Sequence, residues 1–233
     1  MAKQVYVVAT VKPWNKMVFN EVISRYPGEW YLITKQKDLT ASKIRTLNPK
    51  YIFFPHWHYI VSKEILDLSH CICFHETDLP YGRGGSPIQN LIARGHKKTV
   101  ITAFKMIKEP DAGPVYIKCP LSLDGLAEEI FIRAAYIIAE MIKSIITENL
   151  EPVEQLGAPT VFQRRKPSQS EMPVETVDLF KLFDHIRMLD AKGYPKAYFN
   201  FGVFRYEISN PMLKTGEIHA NIRITKEDEK TDD

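Results

Sequence analysis

Cys71-Ile72-Cys73-Phe74-His75-Glu76-Thr77-Asp78-Leu79-Pro80-Tyr81-Gly82-Arg83-Gly84-Gly85-Ser86-Pro87 is the stretch whose reading decides the fold. Cys71–Phe74 has the apolar, β-favouring character of a short buried strand. Tyr81–Gly85 is a glycine-rich loop that permits unusual backbone angles and close approach of a ligand. Ser86 then reads as an N-cap and Pro87 as a first helical residue. A helix start after a glycine-rich loop invites a nucleotide-binding reading, but neither the dinucleotide nor the P-loop spacing is present. Ligands of parallel α/β sheets gather at the carboxyl ends of strands, and His75 falls where this strand runs out. The later segment Glu109-Pro110-Asp111-Ala112-Gly113-Pro114 adds a carboxylate. A histidine, an acid and a pliable loop are the least that proton-coupled group transfer requires.

The surroundings extend the pattern. Strands are expected at Val5–Thr10, Trp30–Ile33, Tyr51–Phe54, Thr99–Lys105 and Val115–Cys119. Helices are expected over 16–25 with Asn15 as N-cap, over Lys43–Leu47, Lys63–Leu68 and 86–94, and as a long amphipathic helix over 123–148. Strands and helices alternating through short links mean an α/β domain with a mainly parallel, Rossmann-like sheet flanked by helices. After Gly157-Ala158-Pro159 the character changes. A helix over Asp178–Leu189 and antiparallel strands at Lys196–Phe201, Phe204–Ile208 and Glu217–Ile224 predict a small C-terminal α+β extension. The expected division is 1–155 for the main domain, 156–225 for the extension and 226–233 for a flexible, solvated tail.

Bulk composition excludes several classes. Apolar residues make up 45% and charged residues 25%, as in soluble globular proteins. A net charge of +3, without a concentrated Lys/Arg stripe, argues against a nucleic-acid partner. No run is long and apolar enough for a membrane span, no signal peptide is evident, and the three cysteines form no disulfide framework. A cytoplasmic setting is the simplest expectation. Two histidines in Pro55-His56-Trp57-His58, with Cys73 and His75, could make a zinc site. That reading leaves the glycine-rich loop and Asp111-Ala112-Gly113 without a purpose, so no metal is expected.

The same residues resemble the formyltransferases that use 10-formyltetrahydrofolate. The carriers are His75, Leu79-Pro80, Arg83-Gly84-Gly85-Ser86-Pro87-Ile88-Gln89 and Asp111-Ala112-Gly113, and the likeness is strongest over roughly 50–120. The resemblance implies formyl transfer to a primary amine, a reaction that must stabilise an oxyanion and remove a proton. It assigns His75 and Asp111 as catalytic residues. Cys73 stands where the family has asparagine, and a thiol is the weaker hydrogen-bond donor. Cys73 is open to two readings, a bystander with backbone N–H groups sufficing, or a nucleophile activated by His75. A folate pocket is implied at Tyr59, Ile60 and Val61, with Ile107, Glu109 and Asp111.

Tyr81, Arg83, Gly84 and Gly85 are implied to face the amine substrate. Segments 162–170 and 186–195 look similar to sugar N-formyltransferases, so Arg164, Arg165 and Arg187 are expected to grip phosphate or carboxylate, the alternative being solvated charge. The expected acceptor is therefore a nucleotide-linked amino sugar, for bacterial surface glycans, with no nucleic acid and no membrane as partner and a homodimer left open. Glycinamide ribonucleotide or methionyl-tRNA as acceptor, and a non-catalytic folate- or nucleotide-binding module, are the alternatives.

Overall fold

The structure, a computed structural model, describes residues 3–226. In chain order the strands are β1 (Val5–Ala9), β2 (Glu29–Ile33), β3 (Tyr51–Phe54), β4 (His70–His75), β5 (Arg83–Gly84), β6 (Lys98–Lys105), β7 (Val115–Ser122), β8 (Val161–Phe162), β9 (Ala197–Phe201), β10 (Phe204–Lys214) and β11 (Glu217–Lys226). The α-helices are α1 (Pro13–Glu21), α2 (Ala41–Leu47), α3 (Lys63–Leu68), α4 (Pro87–Ala93), α5 (Ala127–Glu148) and α6 (Leu179–Arg187). The chain groups into two compact units that no single cut separates. The first holds Met1–Pro87, Lys98–Leu121 and Phe131–Phe162; the second holds Ile88–Lys97, Ser122–Ile130 and Gln163–Asp233.

The first unit is built on a six-stranded sheet in the order β2-β1-β3-β4-β6-β7. β1 runs parallel to β2 and β3, β3 parallel to β4, and β6 antiparallel to β4. The central strands β1 and β3 are apolar along their whole length because both faces are covered. Alternation sends Val7, Ala9, Ile52, Phe54 and Cys71 into a cluster with Ile44 of α2 and Ile65 of α3. Tyr6, Val8, Phe53, Ile72 and Phe74, also buried, take the opposite face. Full burial of a side chain such as Phe53 contributes roughly 1.5–3 kcal/mol. The expected mainly parallel α/β sheet is thus present, with β3 and α3 at the expected bounds.

Several local expectations differ. α1 starts at Pro13 behind Lys12, and Asn15 is a buried residue within it instead of a cap. Its amide is used tertiarily, donating to Thr10 Oγ1 and the Pro55 carbonyl, each at 3.2 Å. α4 starts at Pro87 as expected, but Ser86 before it has φ 53°, unlike the extended backbone of an ordinary N-cap. α5 starts four residues later than expected, at Ala127.

In the second unit, β9, β10 and β11 form an antiparallel sheet in the order β11-β10-β9. β10 runs past Ile208 because a register shift between Ser209 and Met212 absorbs Asn210 and Pro211. Lys226, expected in the tail, is the last residue of β11; the rest of the tail lies outside the described residues. At the end of α6, Arg187 is buried, its Nε on Asp184 at 2.6 Å and its Nη1 on the carbonyls of Leu123 (2.6 Å) and Gly125 (2.8 Å). Among the described residues no helix is long and apolar enough to cross a membrane.

Candidate active site

β4 delivers Cys73 and His75 to the end of the sheet, where Cys73 registers with Phe54 of β3 and His75 with Thr102 of β6. His75 is buried, with Nε2 2.8 Å from the carbonyl oxygen of Gly82. A carbonyl only accepts, so Nε2 carries the ring proton and the neutral ring keeps its lone pair on Nδ1.

Two residues on, the N–H of Gly84 donates to Asp111 Oδ2 at 2.8 Å. The tripeptide Gly82-Arg83-Gly84 therefore holds the histidine through one end and the carboxylate through the other. It is itself fixed by a two-residue parallel pairing of β5 with β8, Arg83 against Val161 and Gly84 against Phe162. Gly82 N donates to Thr160 Oγ1 at 2.7 Å. At Gly84 (φ 107°) a Cβ would lie 2.4 Å from the Phe162 carbonyl oxygen, so no side chain is tolerated there. Tyr81 sets its ring edge-on to Phe162, and Gly85 N donates to the Phe162 carbonyl at 3.0 Å.

Asp111 occupies a tight turn at φ 54°. At Gly113 a Cβ would stand 1.8 Å from the Lys105 carbonyl oxygen, so the turn is pressed directly onto the end of β6. Glu109, exposed, meets Arg83 Nη1 at 3.3 Å.

Cys73 lies with its Sγ 3.8 Å from the Phe54 carbonyl and 3.9 Å from that of Phe74. Burial pushes its thiol well above the ordinary range, and the charges of Asp111 and Glu76 push the same way. A thiol pushed this way is less readily ionised, which weighs against the nucleophile reading.

A second polar group sits beside His75. The His56 Nδ1 accepts from Asn15 Nδ2 at 2.9 Å and from the Trp14 indole at 3.3 Å, so the ring proton is on Nε2. That nitrogen lies 2.8 Å from Glu76 Oε1, off the axis of a good hydrogen bond but within ion-pairing reach. Burial alone would raise Glu76, yet His56, through its charge when protonated and its Nε2–H, and then the charge of a protonated His75, outweigh it and hold the carboxyl below its ordinary value. His56 is thus engaged by protein groups, and no cluster of three or more His, Cys, Asp or Glu suited to a metal occurs among the described residues.

The remaining expected residues fall as follows. Tyr59 packs its ring against His58 and Trp57; Ile60 is 95% exposed; Val61 turns its side chain into the core cluster; Ile107 is exposed. Arg164 and Arg165 belong to the second unit, Arg164 exposed and Arg165 half-buried with Nη2 on the Gln169 carbonyl. Arg187, expected to grip a ligand, has its guanidinium committed to the chain around it. Sequence reasoning misses Glu76, Gln155, Thr160 and Phe162. Glu76 has a signal in its place next to His75, whereas the other three lie in an irregular crossover with no period to read.

Comparison with known proteins gives this arrangement a context. The family described as methionyl-tRNA formyltransferase, C-terminal domain, matches residues 167–225. A solved methionyl-tRNA formyltransferase from Clostridium thermocellum is 45% identical, with a TM-score of 0.91 over 96% of this chain and 100% of that one. The methionyl-tRNA formyltransferase of Wolinella succinogenes is 30% identical over 195 residues, 80% of this chain and 62% of that protein. The chain spans about 60% of the length of the curated relatives it matches. A sugar N-formyltransferase from Shewanella shares the fold (TM-score 0.63, 96% of this chain and 98% of that one) at only 12% identity.

These findings correct the expected grouping with nucleotide-sugar enzymes, and with it the exclusion of a nucleic-acid partner. The expectation went astray by grouping segments 162–170 and 186–195 with sugar N-formyltransferases and by resting on a small net charge, whereas residues 167–225 carry the C-terminal-domain match. Identity of 45% along the whole of a solved formyltransferase leaves one assignment: the chain belongs to the formyltransferase family.

Proposed function

We propose that the protein is an N-formyltransferase that uses 10-formyltetrahydrofolate and formylates the amino group of methionyl-tRNA, with 1–155 as its catalytic part. The observation that carries this reading is the 45% identity along the full length of the Clostridium thermocellum enzyme, with His75 and Asp111 held on one tripeptide. The chain's residues fit a folate on one structural count. Trp57 Nε1, in the segment after β3, is a buried donor without a hydrogen-bond partner among the described residues. The main chain of Tyr59, Ile60 and Val61, with Ile107, Glu109 and Asp111, would hold the folate, which supplies the formyl group when bound.

His75 is the proton acceptor in this reading. Its Nε2–H is anchored on Gly82, leaving Nδ1 to take the proton that the acceptor amine loses. Asp111, seated on the Gly84 N–H, orients the loop whose Gly82 carbonyl holds the His75 ring. Cys73 is a spectator, and Cys73→Asn is expected to retain or raise turnover; a complete loss would restore a direct role for sulfur.

Tetrahydrofolate release is the decisive readout, with charged methionyl-tRNA and glycinamide ribonucleotide offered as acceptors. Turnover with methionyl-tRNA, lost in His75→Ala, is the expected result. Turnover with glycinamide ribonucleotide alone would reassign the acceptor. Folate binding without turnover on either would refute the catalytic reading.

A further inference from the structure

Gln155 lies between α5 and β8, outside any strand or helix, and nothing in the chemistry above calls on it. Its side-chain amide nevertheless spans the two segments that carry the site. Oε1 accepts from Arg83 Nη2 at 2.8 Å and Nε at 3.3 Å. Nε2 donates to the main-chain carbonyls of Asp111 at 2.8 Å and Gly113 at 2.9 Å. A guanidinium only donates and a carbonyl only accepts, so just one orientation of the amide satisfies all four contacts.

Both segments need an external tie. Asp111 has φ 54°, a backbone state that residues with side chains seldom adopt unless their surroundings impose it. The Asp111–Gly113 turn has β6 on one side and no helix or strand of its own. Arg83 sits between the two glycines that hold His75 and Asp111, in a pairing only two residues long.

We propose that Gln155 is a positioning residue for formyl transfer, its amide locking the Asp111 turn to the Arg83 loop so that the Asp111 carboxylate stays registered on Gly84 and, through it, on His75. The proposal rests on the reading that Asp111 acts in the reaction. It also explains why neither a carboxylate nor an apolar side chain of equal length would serve. Glutamate would keep Arg83 but set oxygen against two carbonyl oxygens, and methionine would tie neither segment.

The test is a double-mutant cycle of Gln155→Glu with Asp111→Asn in the full chain, followed by single-turnover rates, KM and thermal unfolding. Gln155→Glu is expected to lower the rate by about tenfold or more, with KM for the folate donor changed less than about threefold and the unfolding temperature little moved. In the Asp111→Asn background the same substitution is expected to cost almost nothing further, because it acts through Asp111. A merely structural residue would lower the unfolding temperature and give equal losses in both backgrounds.

Wild-type rates for Gln155→Glu alongside a strong loss in Asp111→Asn would overturn the role of Gln155 alone. Wild-type rates in Asp111→Asn would overturn the reading of Asp111 and this proposal with it. Should Gln155→Glu not fold, Gln155→Met enters the same cycle.

Discussion

At the ends of β3 and β4 the chain buries polar groups and pairs them one by one, while across β9–β11 it leaves apolar side chains open. His75, Glu76 and Thr77 are buried, and their partners are specific atoms at hydrogen-bonding distance. On the antiparallel sheet Phe201, Ile222 and Ile224 are more than half exposed, and Phe199 and Phe204 only somewhat less. The pairings set Phe201 opposite Phe204 and Ile224 opposite Tyr206, so these residues share one face. The contrast separates two kinds of sensitivity. A buried polar pair fails when one atom is removed, because the other is left desolvated and unmatched. An exposed apolar face has already given up its burial energy and loses little when it is altered.

The contrast can be broken or sharpened by experiment. The largest effect is expected for His75→Ala, a fall of about 10²–10⁴-fold in kcat with the fold intact, read by tetrahydrofolate release and circular dichroism. Arg187→Ala shows that the second unit has its own intolerant interior. Loss of the guanidinium leaves Asp184 with only Lys97 at 3.4 Å and strands two carbonyls, and denaturant unfolding is expected to show about 3 kcal/mol of destabilisation.

A pH effect of intermediate size attaches to Glu76. Its folded-state value is depressed relative to the ordinary 4.5, so below that pH the unfolded chain takes up the proton first. The stabilisation is therefore complete above about pH 4.5 and is lost as pH falls through the folded value. Denaturant midpoints of Glu76→Gln against the parent should converge in that acidic window; a constant gap down to about pH 3 would contradict the assignment. Ile224→Thr, on the open face, is expected to change stability by no more than about 0.5 kcal/mol, and a larger loss would mean that this face is covered in solution.

Legibility in the sequence followed the range of the forces involved. Tyr51–Phe54 and Lys63–Leu68 could be read to the residue because a buried strand and an amphipathic helix write their periods into consecutive positions. His75 and Asp111 stand out in the sequence through motif residues, and the structure places both against one loop. Asn15 looked like a cap because its local chemistry suits one, and only the contacts with Pro55 and His56 reveal its tertiary use. The β5–β8 pairing was invisible, since two residues have no period and their partners lie far along the chain. The acceptor was misjudged because net charge and the likeness of two short segments say little about a particular binding surface.

The tripeptide Gly82-Arg83-Gly84 has a further consequence. Its three main-chain amides and that of the next residue are all engaged: Gly82 on Thr160 Oγ1, Arg83 on the Thr160 carbonyl, Gly84 on Asp111 and Gly85 on the Phe162 carbonyl. A scan that exchanges side chains one at a time cannot remove those donors, so it would under-report how the loop is held. Deuterium uptake would see them directly: a glycine-rich loop in which even the exposed Gly84 exchanges as slowly as a strand, and which speeds up at that one amide when the Asp111 carboxylate is taken away.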